Sequence, residues 1–198
     1  MDVILVSASP RRKELLSGLC PSFVCIPAKG EEKPLKSLPQ DIVCELSKQK
    51  ALDVEQQVRL GDTRKEKEYL IIGADTIVAY NGKIMGKPAN KEEAYYMLSA
   101  LQNHTHKVYT GVTFLIEQGT RIENTFYEEA DVTMYPMTEK QIRDYINTGE
   151  PMDKAGAYAI QGKCAVYIKR VEGEYNTVVG FPIARIYQEL LKKGIILC

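Results

Sequence analysis

The chain has 198 residues, with 26 Lys+Arg against 26 Asp+Glu and a formal net charge of zero. That length suits one α/β domain, or two small lobes around one cleft, with a real buried core, and it argues against two independent domains. Balanced charge gives no global positive field for a nucleic-acid polymer or an anionic membrane, no apolar run approaches the roughly 20 residues of a membrane span, and Met1-Asp2 leads straight into a strand rather than a signal segment, so a cytoplasmic location is expected.

Val3 to Val6 is a short apolar, largely β-branched run that fits a strand buried on both faces. Ser9 can then cap a helix start, and Pro10 suits the first helical position. Arg11 and Arg12 fall in the first turn of that helix, where cations oppose the helix dipole, and a bound anion would resolve the conflict. Main-chain amides, Ser7, Ser9 and the two guanidinium groups therefore form a candidate phosphate cradle. The alternative is a capped helix with two solvated arginines.

Phe23 to Ile26 reads as a second strand, followed by a polar loop in which Glu31 and Glu32 either ligate a hard cation or are simply solvated. Pro39 to Val54 carries a helical stripe, Ile42, Val43, Leu46 and Leu52, with Lys50 near its far end, solvent-facing or part of a site. Residues 55 to 69, which include Gly61-Asp62, read as a charged surface excursion. Tyr69 to Tyr80 is a long β-like run with Asp75 inside it. A carboxylate there needs a cation or several donors, and Gly73 and Ala74 leave room for a ligand or another backbone. Asn81-Gly82 signals a type I′ hairpin leading to Gly86-Lys87-Pro88, which would put Asp75 and Lys87 at one end of a hairpin.

Lys91 to Leu101 is an amphipathic helix. Strands follow from His106 through Ile116 and from about Arg121 to Tyr135, with a turn at Gly119-Thr120. A helix from Thr138 to Asn147 opens on a Thr-x-x-Gln capping box and ends towards Gly149. Thr148 to Gly162 has many small residues and little periodicity, as expected of a loop folded round a ligand. Gln161 in it has the donors and acceptor to read a base edge, or is an ordinary loop glutamine. Strands at 165 to 171 and 175 to 179 and a helix from Pro182 to Lys193 complete the chain. The five cysteines form neither CxxC pairs nor zinc-ligand spacings with the two histidines, so they read as reduced and mostly structural.

Several of these stretches coincide with one pattern: Ser7-Ala8-Ser9-Pro10-Arg11-Arg12, Gly73-Ala74-Asp75-Thr76-Ile77-Val78, Gly86-Lys87-Pro88, His106 to Val112, and Glu150 to Tyr158 with Ile160-Gln161-Gly162. The chain resembles, essentially end to end, the Maf family of nucleoside triphosphate pyrophosphatases, whose fold is similar to that of inosine triphosphatases. The resemblance implies a single Maf-like domain spanning residues 1–198, with a mixed, twisted sheet and flanking helices in two lobes around a cleft. It implies hydrolysis of a nucleoside triphosphate to the monophosphate and pyrophosphate, a house-cleaning role, and the glutamine at 161 looks like the branch acting on dTTP and UTP. It also implies Asp75 as proton acceptor, Arg11, Thr76 and Gln161 as the positions that set substrate preference, and Ser7, Arg12, Lys50 and Lys87 as further substrate-binding positions. A divalent cation, Mg²⁺ or Mn²⁺, held by Glu31 and Asp75, and a homodimer belong to the same implication. The alternative reading is a nucleotide-sensing or partner-binding module, linked by family association to septum formation and division arrest, in which hydrolysis is secondary.

The chemistry is coherent without the name. Attack of water on a phosphoryl group needs charge compensation and a stabilised leaving group, which Arg11, Arg12, Lys50, Lys87 and a divalent cation can supply. No Gly-x-Ser-x-Gly elbow, P-loop or cysteine–histidine pairing points to another mechanism.

Overall fold

The computed structural model describes residues 1–61 and 68–197. Strand β1 (Asp2–Val6) pairs in parallel with β2 (Val24–Cys25) and with β3 (Tyr69–Tyr80), in a register that sets Val6 opposite Gly73. Strand β1 therefore ends beside the middle of β3, and the segment after Val6 leaves the sheet at the C-terminal end of β1, where open α/β sheets present their ligand sites. Helix α1 (Pro10–Ser17) begins where Pro10 predicts, with Ser9 at the N-cap position. Its hydroxyl makes no capping bond; instead the Ser9 N–H donates to Ser7 Oγ at 3.0 Å.

Helix α2 runs from Pro39 to Gly61, which corrects the expected surface excursion: residues 55 to 61 continue the helix, and residues 62 to 67 lie outside the described ones. The reason is Glu55. It is buried and accepts from Arg121 Nε and Nη2 at 3.0 and 3.1 Å and from Tyr69 Oη at 3.0 Å, so a charged side chain helps anchor the last turns instead of marking solvent. Burial alone would raise the Glu55 pKa, but the bonds from Arg121 and Tyr69 and the charges of Arg121 and Arg59 outweigh it and hold the carboxyl below its ordinary range.

The remaining elements are β4 (Lys83–Met85), α3 (Lys91–Leu101), β5 (Thr105–Glu117), β6 (Arg121–Met134), α4 (Glu139–Asn147), three 3₁₀ turns between Glu150 and Tyr167, β7 (Ile168–Glu172), α5 (Tyr175–Val179) and α6 (Ile183–Lys192). Asn81 and Gly82 both take positive φ, as the type I′ turn requires. The Thr138–Gln141 capping box forms with both bonds present. Two expectations change here. Residues 165 to 167, expected to open a strand, belong to a 3₁₀ helix (Lys163–Tyr167), and 175 to 179, expected as a strand, is a short helix. That segment is bounded by Gly173 and Gly180, both at positive φ, and the helical turn buries Thr177 and Val179.

The sheet order is β2-β1-β3-β5-β6-β7, with β4 antiparallel to β3 and β7 antiparallel to β6, a mixed seven-stranded α/β arrangement. The described chain divides into two compact units. One comprises Met1–Asp75, Thr110–Glu128 and the segment from Gly180 onward; the other comprises Thr76–Tyr109 and Glu129–Val179. In the first, alternate strand positions Val3, Leu5, Leu70, Ile72, Val112 and Phe114 pack with Leu16 of α1 and Ile186 and Leu190 of α6. Ile4, Val6, Ile71 and Leu115 face the other way, against Ala51 and Val54 of α2. Period-two alternation thus gives the sheet two apolar faces, each fully buried Leu, Ile or Phe contributing about 1.5–3 kcal/mol. Cys20, Cys25, Cys44 and Cys164 are free thiols.

In the second unit α3 packs against α4, and His106 of β5 is buried with its Nε2 at 2.8 Å from Tyr158 Oη. Its Nδ1 has no hydrogen-bond partner among the described residues. Burial lowers its pKa to about 4, and Asp131 only partly opposes this. The folded protein therefore holds His106 neutral, and the unfolded chain binds a proton that the native state refuses. The associated stability is complete above pH about 6.5 and is lost as pH falls from there towards 4, by on the order of 3 kcal/mol. Urea unfolding across that range should show the loss, and His106→Gln should flatten it; an unchanged slope in the variant would remove His106 as its source.

Candidate active site

Asp75 lies on β3 immediately after the stretch paired with β1, and it is buried. An isolated carboxylate there would be costly; Lys50 of α2 answers it, its Nζ donating to Asp75 Oδ1 at 2.5 Å. The same ammonium lies 3.2 Å from Glu32 Oε1. Two glycines make this approach possible. A Cβ on Gly73 would stand 2.4 Å from the Ser47 carbonyl oxygen and 3.0 Å from the Ala51 Cβ, and one on Gly111 would stand 2.2 Å from the Val43 carbonyl oxygen. Helix α2 thus rests on the bare backbone of β3 and β5, which brings Lys50 within reach of Asp75. Ser47 and Thr113 hydroxyls bond at 2.9 Å across the same contact.

Arg12 extends from α1 to the same place. Its Nε donates to the Gly180 carbonyl and its Nη1 to the Ala74 carbonyl, both at 2.8 Å. Burial lowers its pKa, while the neighbouring Asp75 charge works in the other direction. Arg12 is therefore a brace on the residue before Asp75 as well as a charge beside it. Arg11 has its Nε buried with no partner among the described residues, and Ser7 is buried with its hydroxyl accepting from the Ser9 amide. The first unit so gathers Ser7, Arg11, Arg12, Glu32, Lys50 and Asp75 around the end of β1 and the middle of β3.

Glu31 behaves differently from its neighbour. Its side chain is 75% exposed and paired with Lys33 at 2.7 Å, whereas Glu32 reaches Lys50. Sequence reasoning named Glu32 as a possible cation ligand without giving it a site role; only the loop conformation tells the two glutamates apart. Among the described residues no three His, Cys, Asp or Glu side chains converge as a metal cage. Asp75 and Glu32 do converge on one point, now held by an ammonium group. That donor set fits Mg²⁺ or Mn²⁺, which bind through one or two carboxylates and complete their shell with phosphate oxygens and water.

The second unit holds Thr76, Lys87 and Gln161. Thr76 and Lys87 lie just beyond the last pair of the β3–β4 ladder, Val78 with Met85. The Gly86 carbonyl accepts from the Gly156 amide at 3.1 Å, tying the lysine turn to the small-residue loop. That loop is tightly wound: Gly156 and Ala157 take consecutive left-handed conformations, and a Cβ on Gly156 would stand 2.8 Å from a Val78 methyl. Ala157 in that region is strained, a feature that concentrates at functional loops. Gln161 is exposed and follows buried Ile160. The residues supporting it, Tyr145 and Glu150, were not singled out by sequence reasoning; a carboxylate between Gly149 and Pro151 in a loop of small residues was the available signal.

Comparison with known proteins identifies the family. The family described as "Maf-like protein" matches residues 2–193. The dTTP/UTP pyrophosphatase of Agathobacter rectalis is 50% identical over 201 residues, covering 98% of this chain and 98% of that protein. Those of Lachnoclostridium phytofermentans and Carboxydothermus hydrogenoformans are 49% and 45% identical, covering 98% of this chain and 96% and 100% of theirs. With the match running from β1 through α6, the chain belongs to the Maf-like family.

Proposed function

We propose that this protein hydrolyses dTTP, UTP and modified pyrimidine nucleoside triphosphates to the monophosphate and pyrophosphate. The observation that carries the reading is the buried Asp75 carboxylate held through one oxygen by Lys50. A module that only bound phosphate would have use for the cations but not for this carboxylate, so the geometry favours the enzyme over a sensor. In the reaction, water attacks phosphorus at the α–β anhydride, its proton passes to Asp75, the bridging P–O bond breaks, and pyrophosphate leaves. Lys50 fixes the carboxylate, with Oδ2 as the oxygen that takes the proton. Arg11 and Lys87 compensate phosphate charge, Arg12 holds the Ala74 main chain in place, and Ser7 orders the turn beneath the phosphates. A bound Mg²⁺ or Mn²⁺, held by Asp75 with Glu31 or Glu32, would neutralise phosphate oxygens. The family resemblance also implies a homodimer and a cytoplasmic location, and both belong to this proposal; no helix among the described residues is long and apolar enough to cross a membrane.

Asp75→Asn preserves the shape of the Lys50 contact and removes the base, so calorimetry should give near-normal nucleotide affinity while steady-state turnover falls about 10²-fold or more. Near-normal turnover would eliminate the assigned role. In the same assay, metal-stripped enzyme should be inactive until Mg²⁺ or Mn²⁺ is restored, and undiminished hydrolysis in EDTA would remove the cation from the reaction.

Base preference follows from complementarity. The Gln161 amide can accept from N3–H and donate to an adjacent carbonyl of uracil or thymine, and the family resemblance makes Arg11 and Thr76 further positions that set substrate preference. A mismatched base leaves polar groups unpaired at roughly 1–3 kcal/mol each, or about tenfold to a hundredfold in kcat/KM. UTP and dTTP should therefore outrun GTP, ATP and 7-methyl-GTP, with CTP intermediate. An unchanged ranking in Gln161→Glu would defeat the assignment.

A further inference from the structure

Gln161 has an exposed side chain, yet the backbone on both sides of it is held by one polar bridge, buried at the Ala159–Tyr145 end and exposed at Lys163. Tyr145, in the last turn of α4, accepts the Ala159 amide on its hydroxyl at 3.1 Å and donates that hydroxyl to Glu150 Oε1 at 2.9 Å. Glu150 Oε2 accepts the Lys163 amide at 3.0 Å. Between those anchors lies Gly162, and a Cβ there would stand 2.2 and 2.4 Å from the two Glu150 carboxylate oxygens. The carboxylate thus occupies the space a side chain at 162 would need, while its two oxygens serve donors on either side of Gln161. Two further main-chain bonds, the Gly162 amide to the Ala159 carbonyl and the Ala165 amide to the Gly162 carbonyl, complete the turn.

The bridge has a firm base. Thr148 Oγ1 donates to the Tyr145 carbonyl at 2.7 Å and accepts the Glu150 amide at 3.3 Å, so Glu150 is fixed to the end of α4 before it reaches the loop. Helix α4 itself is closed at its other end by the capping box and packs on α3. Burial is the main cause raising the Tyr145 pKa far above that of an ordinary phenol, so the hydroxyl remains a donor throughout the working pH range. Neutral and charged partners are matched throughout: one hydroxyl and one amide donate to a carboxylate that has an acceptor for each.

We propose that Glu150, working through Tyr145, the Lys163 amide and its seat against Gly162, is the positioning residue that aims Gln161 at the nucleobase. This rests on the reading of Gln161 as the base-reading side chain. A base is discriminated only if the amide is presented at hydrogen-bonding distance and angle, and a backbone that shifts by a fraction of an ångström loses the mismatch penalty before it loses binding of the triphosphate. Glu150 therefore governs selectivity, and loss of its bridge weakens the preferred pyrimidine nucleotides more than the others.

The test measures kcat and KM for UTP, dTTP, GTP and ATP in the wild type and in Tyr145→Phe, Glu150→Gln, Gly162→Ala, Gln161→Ala and the double variant Glu150→Gln/Gln161→Ala. Tyr145→Phe and Glu150→Gln should each lower the UTP-to-GTP ratio of kcat/KM by about tenfold, through a raised KM for UTP. Gly162→Ala, which drives a methyl group into the carboxylate, should do the same. Glu150→Gln should lower the ratio no further when Gln161 is already alanine, because it acts through that residue. Thermal unfolding identifies any variant that fails to fold, and Tyr145→Phe, which removes one oxygen and keeps the packing, carries the result if Glu150→Gln is lost. Equal losses for all four nucleotides, or additive effects in the double variant, would overturn the proposal. If Gln161→Ala collapses the ratio while the bridge variants keep it, the positioning role alone falls. If Gln161→Ala leaves the ratio at its wild-type value, the base-reading assignment falls and the positioning role falls with it.

Discussion

The seating of α2 on the backbone of two strands is the constraint on which the candidate chemistry depends. Val43, Ser47 and Ala51 recur every fourth residue and so form one stripe of the helix, and that stripe meets Gly111 of β5 and Gly73 of its sheet neighbour β3. With side chains at either glycine, the carbonyl oxygens of α2 would have to retreat. Lys50 immediately precedes Ala51, at the flank of the stripe, so the depth of the helix fixes the reach of its ammonium group. The bonded hydroxyls of Ser47, Thr113 and Thr125 hold the same contact laterally. The packing of a helix thereby determines an electrostatic distance.

That distance explains why Asp75 can occupy an apolar strand. A buried carboxylate without a partner is destabilising by several kcal/mol, and one whose partner sits on a separate rigid element is both tolerated and oriented. Arg12 contributes in another way. Its guanidinium clamps the carbonyl of Ala74 and that of Gly180, which connects the start of α1, the middle of β3 and the segment leading into α6. One side chain thus ties three segments of the first unit together.

Much of this was legible in the sequence where one local signal sufficed. Pro10 marked the first residue of α1, Asn81-Gly82 the hairpin, and Thr138-x-x-Gln141 the capping box, each because a few adjacent residues carry the whole reason. Asp75 stood out because a charge inside an apolar run demands an explanation. Other features depend on partners distant in the chain. Glu55 looked solvated because Arg121, which makes it a buried anchor, is remote in sequence. The Thr177-Val178-Val179 run looked extended because β-branched residues favour strands, yet the flanking glycines and the burial of Thr177 and Val179 make it helical. Glu31 and Glu32 are chemically identical, and only the fold of their loop sends one to Lys33 and the other to Lys50.

The seat of the Glu150 carboxylate against Gly162 bears on how such a protein can be recoded for another nucleobase. On the proposed reading of Gln161, exchanging that residue replaces a letter, but the replacement inherits a backbone focused for a glutamine by the donors and acceptors around it. A longer or shorter reader would meet the base at the wrong depth, and moving the backbone to suit it would strand the Lys163 amide or the Tyr145 hydroxyl. Altered recognition in this scaffold is therefore a property of a connected set of residues, to be redesigned together as one part.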